Sequence, residues 1–359
     1  MALLRPDLAA LRRRALCGLA GMLALAASAL NGLQASIVFD RYSPLSRNEE
    51  MARRLLSPLE AERVRRQLAA TGEAMRDQAV DLAQERFLLD VPAHAPPTGY
   101  GLLVFIPPWP DARLPAGWGD ALDRRGVIFV TAAHSGNDDS AYGRRNPLAL
   151  IAAANVMARY PVDPARVYVG GFSGGSRVAM RLALAYPDLF RGALLDAGSD
   201  PAGSGITRLP SRALWEEAEG GLRLVFLTGE HDEAALSAAA DSVQSMRRNC
   251  LLSVQSRTLS GLGHELAGGD SLARGLDLLD QPKTPDPARL AACRAALQRS
   301  LDEGVEQVRQ DLARGDLAAA RKRIIALDTR FGGLAEQRLV DLAETCGCGV
   351  FPPPSQPLT

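Results

Sequence analysis

The chain has 359 residues, 47% of them hydrophobic, and its 41 lysines and arginines balance 41 aspartates and glutamates. That is enough apolar material for one large domain with additions at its ends. A neutral chain with no basic run beyond its N-terminus argues against a nucleic-acid partner.

The first residues read as a leader. Arg12-Arg13-Arg14 precedes a mostly apolar stretch from Ala15 to about Leu33, and Leu33-Gln34-Ala35 offers a cleavage point before Ser36, the pattern of a secretory signal. Residues 1–35 are therefore expected to be removed and the protein to reach the periplasm or the medium. The alternative is an uncleaved anchor over residues 15–33, whose length approaches a membrane span, although Asn31 and the glycines and serines weaken it. Cys17 opens the apolar run instead of following it, which is not the place of a lipidated cysteine. Export leaves Cys250, Cys293, Cys346 and Cys348, which allow two disulfides in three pairings. One consequence is that Cys250 or Cys293 would staple the C-terminal helices to the core.

Residues 36–84 are expected to be a helical prelude. Ser57, Pro58 and Glu60 make a capping box with proline at the first helical position, and Leu59, Val64, Leu68, Met75 and Leu82 supply an intermittent apolar face. The main domain is placed at 85–282. Its strands are expected at Phe87 to Val91, Gly101 to Ile106, Val127 to Val130, Val167 to Val169, Ala193 to Leu195, Leu222 to Leu227 and Leu251 to Arg257. Helices are expected between them at about Gly117 to Asp123, Leu148 to Arg159, Gly175 to Ala185 and Leu236 to Arg247. Strands alternating with helices imply an α/β fold with a mostly parallel central sheet covered on both faces.

The segment Ser199 to Gly221 is longer than an ordinary connection and carries Trp215, so it reads either as a lid that brings Trp215 to a substrate or as a packed excursion. Residues 283–350 form a helical extension in which Leu290, Leu297, Leu301, Val305, Val308 and Leu312 follow helical spacing and Gly315 marks a turn. It resembles one helical-repeat hairpin, too short for a solenoid, and would cover apolar surface on the main domain or on a protein partner. Residues 351–359 are a proline-rich, extended tail.

The chemistry concentrates at Arg166 to Met180. An apolar strand runs into Gly171-Phe172-Ser173-Gly174-Gly175 and then into a helix, a G-x-S-x-G in the strand, turn and helix setting of a nucleophile elbow. Ser173 is the candidate nucleophile, and the Gly174 N–H would face a developing oxyanion from the helix N-terminus. Together with Asp163-Pro164-Ala165-Arg166-Val167-Tyr168 before it and Tyr186-Pro187-Asp188-Leu189-Phe190 after it, this stretch resembles the α/β-hydrolase superfamily. Within that superfamily it resembles the secreted polyhydroxybutyrate depolymerase and feruloyl esterase type, over roughly residues 85 to 270.

Triad order in that fold is serine, acid, histidine. His264, in Leu262-Gly263-His264-Glu265, matches the family's G-x-G-H and is the candidate base; Asp232, after Gly229, matches its G-x-x-D and is the candidate acid. Glu230 and Glu233 stay open as acids, and His231 as a rival base. Where the family carries a His-Gly segment this chain has Pro107-Pro108-Trp109-Pro110, which leaves Trp109 as the second N–H donor of an oxyanion hole. His134 and Asn137, in the loop after the next strand, are candidate substrate contacts.

No metal site is expected, because Cys346-Gly347-Cys348 has no second Cys or His pair and His134, Asp138 and Asp139 have no recognised spacing. No cofactor is needed. The resemblance implies a serine esterase acting on a small-molecule ester or a short polyester; a serine peptidase or amidase, and a non-catalytic envelope module on a hydrolase fold, are the alternatives.

Overall fold

The computed structural model describes residues 30–281 and 285–350. The leader's apolar core, the tail and Pro282 lie outside the described residues. Eight strands form one sheet in the order β1-β2-β4-β3-β5-β6-β7-β8. They are β1 (Gly32–Ile37), β2 (Phe87–Val91), β3 (Tyr100–Ile106), β4 (Val127–Ala132), β5 (Val162–Phe172), β6 (Gly192–Asp196), β7 (Arg223–Gly229) and β8 (Val254–Leu259). β1 and β2 run antiparallel to their neighbours and the other six are parallel. This is the α/β fold expected from the alternation of strands and helices.

Successive side chains of a strand point to opposite faces, and β3 divides its apolar run accordingly. Leu102, Val104 and Ile106 enter one core while Leu103 and Phe105 enter the other. The first core packs under α1 (Asn48–Leu55), α2 (Pro58–Thr71), α4 (Asn146–Arg159), α5 (Gly174–Ala185), α6 (Arg212–Gly221) and α7 (Glu233–Arg248). The second, smaller core is covered by α3 (Gly119–Asp123) and α8 (Gly269–Asp280). The strand leading to Ser173 lies inside the sheet, where Tyr168 to Gly171 pair with β3 on one side and β6 on the other.

The terminal additions join the first core. α2 starts on the expected capping box of Ser57 and Glu60. The C-terminal helices α9 (Pro287–Ala313), α10 (Leu317–Phe331) and α11 (Arg338–Cys346) bury Leu301, Val308, Ile324, Phe331 and Leu339 in the same core. Buried Asp328 of α10 accepts hydrogen bonds from the Ser57 hydroxyl at 2.5 Å and the Leu59 N–H at 3.3 Å, so it caps α2 from outside. The two disulfides are Cys250–Cys293, which ties the turn after α7 to α9, and Cys346–Cys348, which closes the turn after α11.

Of the two readings of the connection before β7, the structure has the packed excursion. Residues 199–221 are bolted to the terminal helices: Arg208 pairs with Glu60 at 2.6 Å, Gly333 N–H donates to Leu209 O at 2.8 Å, and Arg212 donates to Gln298 at 2.8 Å. The expected cleavage point before Ser36 falls inside β1, whose residues Gly32, Leu33 and Gln34 pair with Val91, Asp90 and Leu89. Among the described residues no helix is long and apolar enough to cross a membrane.

Candidate active site

β5 ends and α5 begins at Ser173, whose φ of 53° and ψ of −122° lie where a side chain is strained. Three contacts hold it there. The Ser173 N–H donates to Asp196 O at 2.8 Å, the Ser176 hydroxyl donates to Gly198 O at 2.5 Å, and α5 passes so close to β3 that a Cβ on Gly175 would collide with the Ile106 carbonyl. The turn is therefore compact because its glycines let backbone meet backbone.

The loops after β7 and β8 run side by side. Glu230 N–H donates to Leu259 O, His231 N–H to Leu262 O, and Gly261 N–H to the Glu230 carboxylate at 3.0 Å. This lacing sets Asp232 beneath His264. Imidazole Nδ1 is 2.5 Å from Asp232 Oδ2, and Nε2 is 2.9 Å from Ser173 Oγ. Asp232 Oδ1 accepts the Ala235 N–H at 3.1 Å as the cap of α7. Burial pushes the Asp232 pKa up, but the His264 and Ala235 hydrogen bonds outweigh it and hold the carboxyl below its ordinary range. Of the other candidates, Glu230 is spent on Gly261, Glu233 opens α7, and His231 is exposed. His264 keeps about half its side chain in solvent, so the site is open.

Two further loops meet in front of the elbow. Asn137 N–H donates to Pro108 O at 3.0 Å and His134 N–H to Pro110 O at 2.6 Å. Buried Arg145 donates to Pro107 O at 2.9 Å and Ser135 O at 3.1 Å, fixing both loops at once. Burial, with the charge of Arg181, pulls its pKa down to about 10, which leaves it cationic at neutral pH. Trp109 is the one residue among 107–110 with an N–H. Its ring lies 6.3 Å from Phe172, which lies 5.2 Å from the His264 ring, so an aromatic wall runs from Trp109 to the imidazole. The Asn137 amide presses against Gly174, where a Cβ would strike it. His134 is exposed on the same loop with φ 48°.

Trp215 is not brought to this place. It is 1% exposed, donates Nε1–H to Asn249 O at 2.8 Å, and lines a cavity of about 270 Å³ between α6 and α9 together with Leu301, Phe331 and Leu334. Sequence reasoning also passed over Asp196, Trp118 and Arg145. The visible signal for Asp196 was a carboxylate closing the apolar run of β6; Trp118 and Arg145 carried none.

The strand order, the antiparallel first pair and the elbow define an α/β-hydrolase fold. No family model matches the sequence, and no curated protein matches it either. Solved structures that resemble it include an acetyl xylan esterase from Aspergillus awamori (15% identity, 54% of this chain and 94% of that one, TM-score 0.42). Others are an S-formylglutathione hydrolase from Staphylococcus aureus (12%, 54% and 92%, 0.43) and a thermophilic esterase from Thermogutta terrifontis (18%, 56% and 88%, 0.41). At these TM-scores the likeness carries no argument.

Proposed function

We propose that the protein is a serine esterase of the polyhydroxybutyrate depolymerase and feruloyl esterase type, with Ser173, His264 and Asp232 as its triad. The observation that carries the reading is the continuous hydrogen-bonded chain from Ser173 Oγ through the imidazole to Asp232, 2.9 and 2.5 Å long in its two links.

In this reading His264 Nε2 takes the Ser173 proton as Oγ bonds to the ester carbonyl carbon, and Asp232 stabilises the imidazolium through Nδ1–H. The Gly174 and Trp109 N–H groups receive the oxyanion. Collapse breaks the bond to the alcohol oxygen, which takes the proton from Nε2; water, deprotonated by the same nitrogen, then releases the acyl group and returns Oγ–H. The open site and the Trp109–Phe172 wall suit a small or aromatic ester or the end of a short polyester.

A fluorophosphonate probe is expected to label Ser173 in wild type and to leave Ser173→Ala unlabelled. Ester turnover should fall by at least about three orders of magnitude in that variant. Folded wild type that resists the probe would identify a non-catalytic module, and cleavage of amides in preference to esters would make it a peptidase. Export of the chain to the periplasm or medium belongs to the same proposal.

A further inference from the structure

We infer that Asp196 is a positioning residue that aligns the nucleophile with its base, holding Ser173 with its backbone and the His264 loop with its side chain. The inference rests on the serine esterase reading above and adds a residue that touches neither substrate nor proton.

The geometry is specific to the end of β6. The Asp196 carbonyl accepts the Ser173 N–H at 2.8 Å, so it sits directly against the elbow. Its carboxylate Oδ2 accepts the Ala267 N–H at 2.7 Å, across 71 residues of sequence. The carbonyl of Ala267 is fixed in turn by the indole Nε1–H of Trp118 at 2.8 Å. Both backbone polar groups of one residue are thus clamped three residues beyond His264, a span of at most about 10 Å of chain. On the other side of the histidine, Leu262 O is tied to the acid loop by His231 N–H. The imidazole is therefore strung between the acid's loop upstream and, downstream, the end of β6, the strand paired with the one that leads to Ser173.

Burial favours a structural use of this carboxylate over a chemical one. Asp196 is 2% exposed, and among the described residues no donor reaches Oδ1. Burial pushes its pKa up to about 7 in spite of the Ala267 hydrogen bond. A polar group kept in such surroundings is costly, and the contact that offsets the cost is the one holding the histidine loop. The next residue, Ala197, has φ 48° and Gly198 lies against the Ser173 carbonyl, so the chain leaving β6 is shaped around the elbow.

The test compares wild type, Asp196→Ala, Asp196→Asn and Trp118→Phe on a short-chain nitrophenyl ester, with thermal melts to confirm folding. Asp196→Ala should lower kcat roughly 10- to 100-fold with little change in KM, as expected when reacting atoms are misplaced and not when binding is lost. Asparagine keeps an oxygen for the Ala267 N–H and should restore most of the loss. Trp118→Phe, which removes the second clamp, should show the same kcat signature more weakly, and it stands in if the alanine variant does not fold. Unchanged kcat in folded Asp196→Ala, a change confined to KM, or an asparagine variant as impaired as alanine would overturn the inference while active wild type leaves the esterase reading intact. An inactive, unlabelled wild type would remove both.

Discussion

Ser173 and His264 meet at 2.9 Å although 91 residues separate them in sequence, and the loops in front of them are fixed by residues set farther back. Arg145 shows how. Among the described residues no carboxylate pairs with its guanidinium, which spends its donors on the carbonyls of Pro107 and Ser135. Those are the loops that carry Trp109 on one side and Asn137 on the other. Three prolines at 107, 108 and 110 remove the N–H groups that could otherwise stitch the first loop to its neighbours, so the arginine supplies from outside what the backbone lacks. Arg145→Met keeps the apolar stem and deletes the donors. It should reduce kcat/KM roughly tenfold through a misplaced Trp109 N–H, while phosphonate labelling of Ser173 persists at a slower rate. Unaltered steady-state kinetics in the folded variant would show that the prolines alone hold the loop.

At the scale of elements, the additions at the two ends of the chain meet at one buried node. Asp328 of α10 caps α2 through Ser57 and Leu59, beside the Arg208–Glu60 pair from residues 199–221. Burial pushes the Asp328 pKa up to about 6, against the hydrogen bonds from Ser57 and Leu59 and the charge of Arg208. A carboxyl whose pKa is higher folded than unfolded binds its proton more tightly in the native state. Its contribution is therefore fully present below the ordinary carboxyl value of 3.8 and is lost as pH rises through about 6. Between pH 5 and pH 8 this amounts to about 1 kcal/mol. Asp328→Asn removes the titration, and urea unfolding at the two pH values should show wild type losing about that much more stability than the variant. Equal losses in the two proteins would mean that the carboxyl titrates normally.

The same node explains what could be read in the sequence and what could not. β2 to β8, the elbow and the order of Ser173, Asp232 and His264 were legible because each rests on a local pattern: an apolar run, a glycine spacing, a position in chain order. The capping box at Ser57 was legible for the same reason. Trp215 was assigned to the substrate because it stood in a long connection, but its neighbours are Asn249, Leu301 and Phe331, which come from distant parts of the chain. Asp196 was legible only as the end of a strand, since its use depends on Ala267 and Trp118. α8 was missed because glycines at its start and middle blur the helical pattern.

Over the whole molecule, the described residues from Asn31 onward form one compact unit, and its first strand bears on where the proposed leader would be cut. β1 covers the outer edge of β2, an antiparallel strand that would otherwise present unpaired backbone groups to solvent. Cleavage before Ser36 would take away Gly32 to Ala35, and with them the pairs to Val91, Asp90 and Leu89. The sequence holds a second site that leaves β1 whole: Ala27-Ser28-Ala29 has the small residues at both positions that Leu33-Gln34-Ala35 lacks. If the chain is exported as proposed, the mature protein should begin at Leu30. Intact mass and N-terminal sequencing of protein recovered from the periplasm or medium would check this. A mature chain beginning at Ser36 would show that the sheet tolerates loss of its outer strand, and an intact N-terminus held in the membrane fraction would replace export with anchoring.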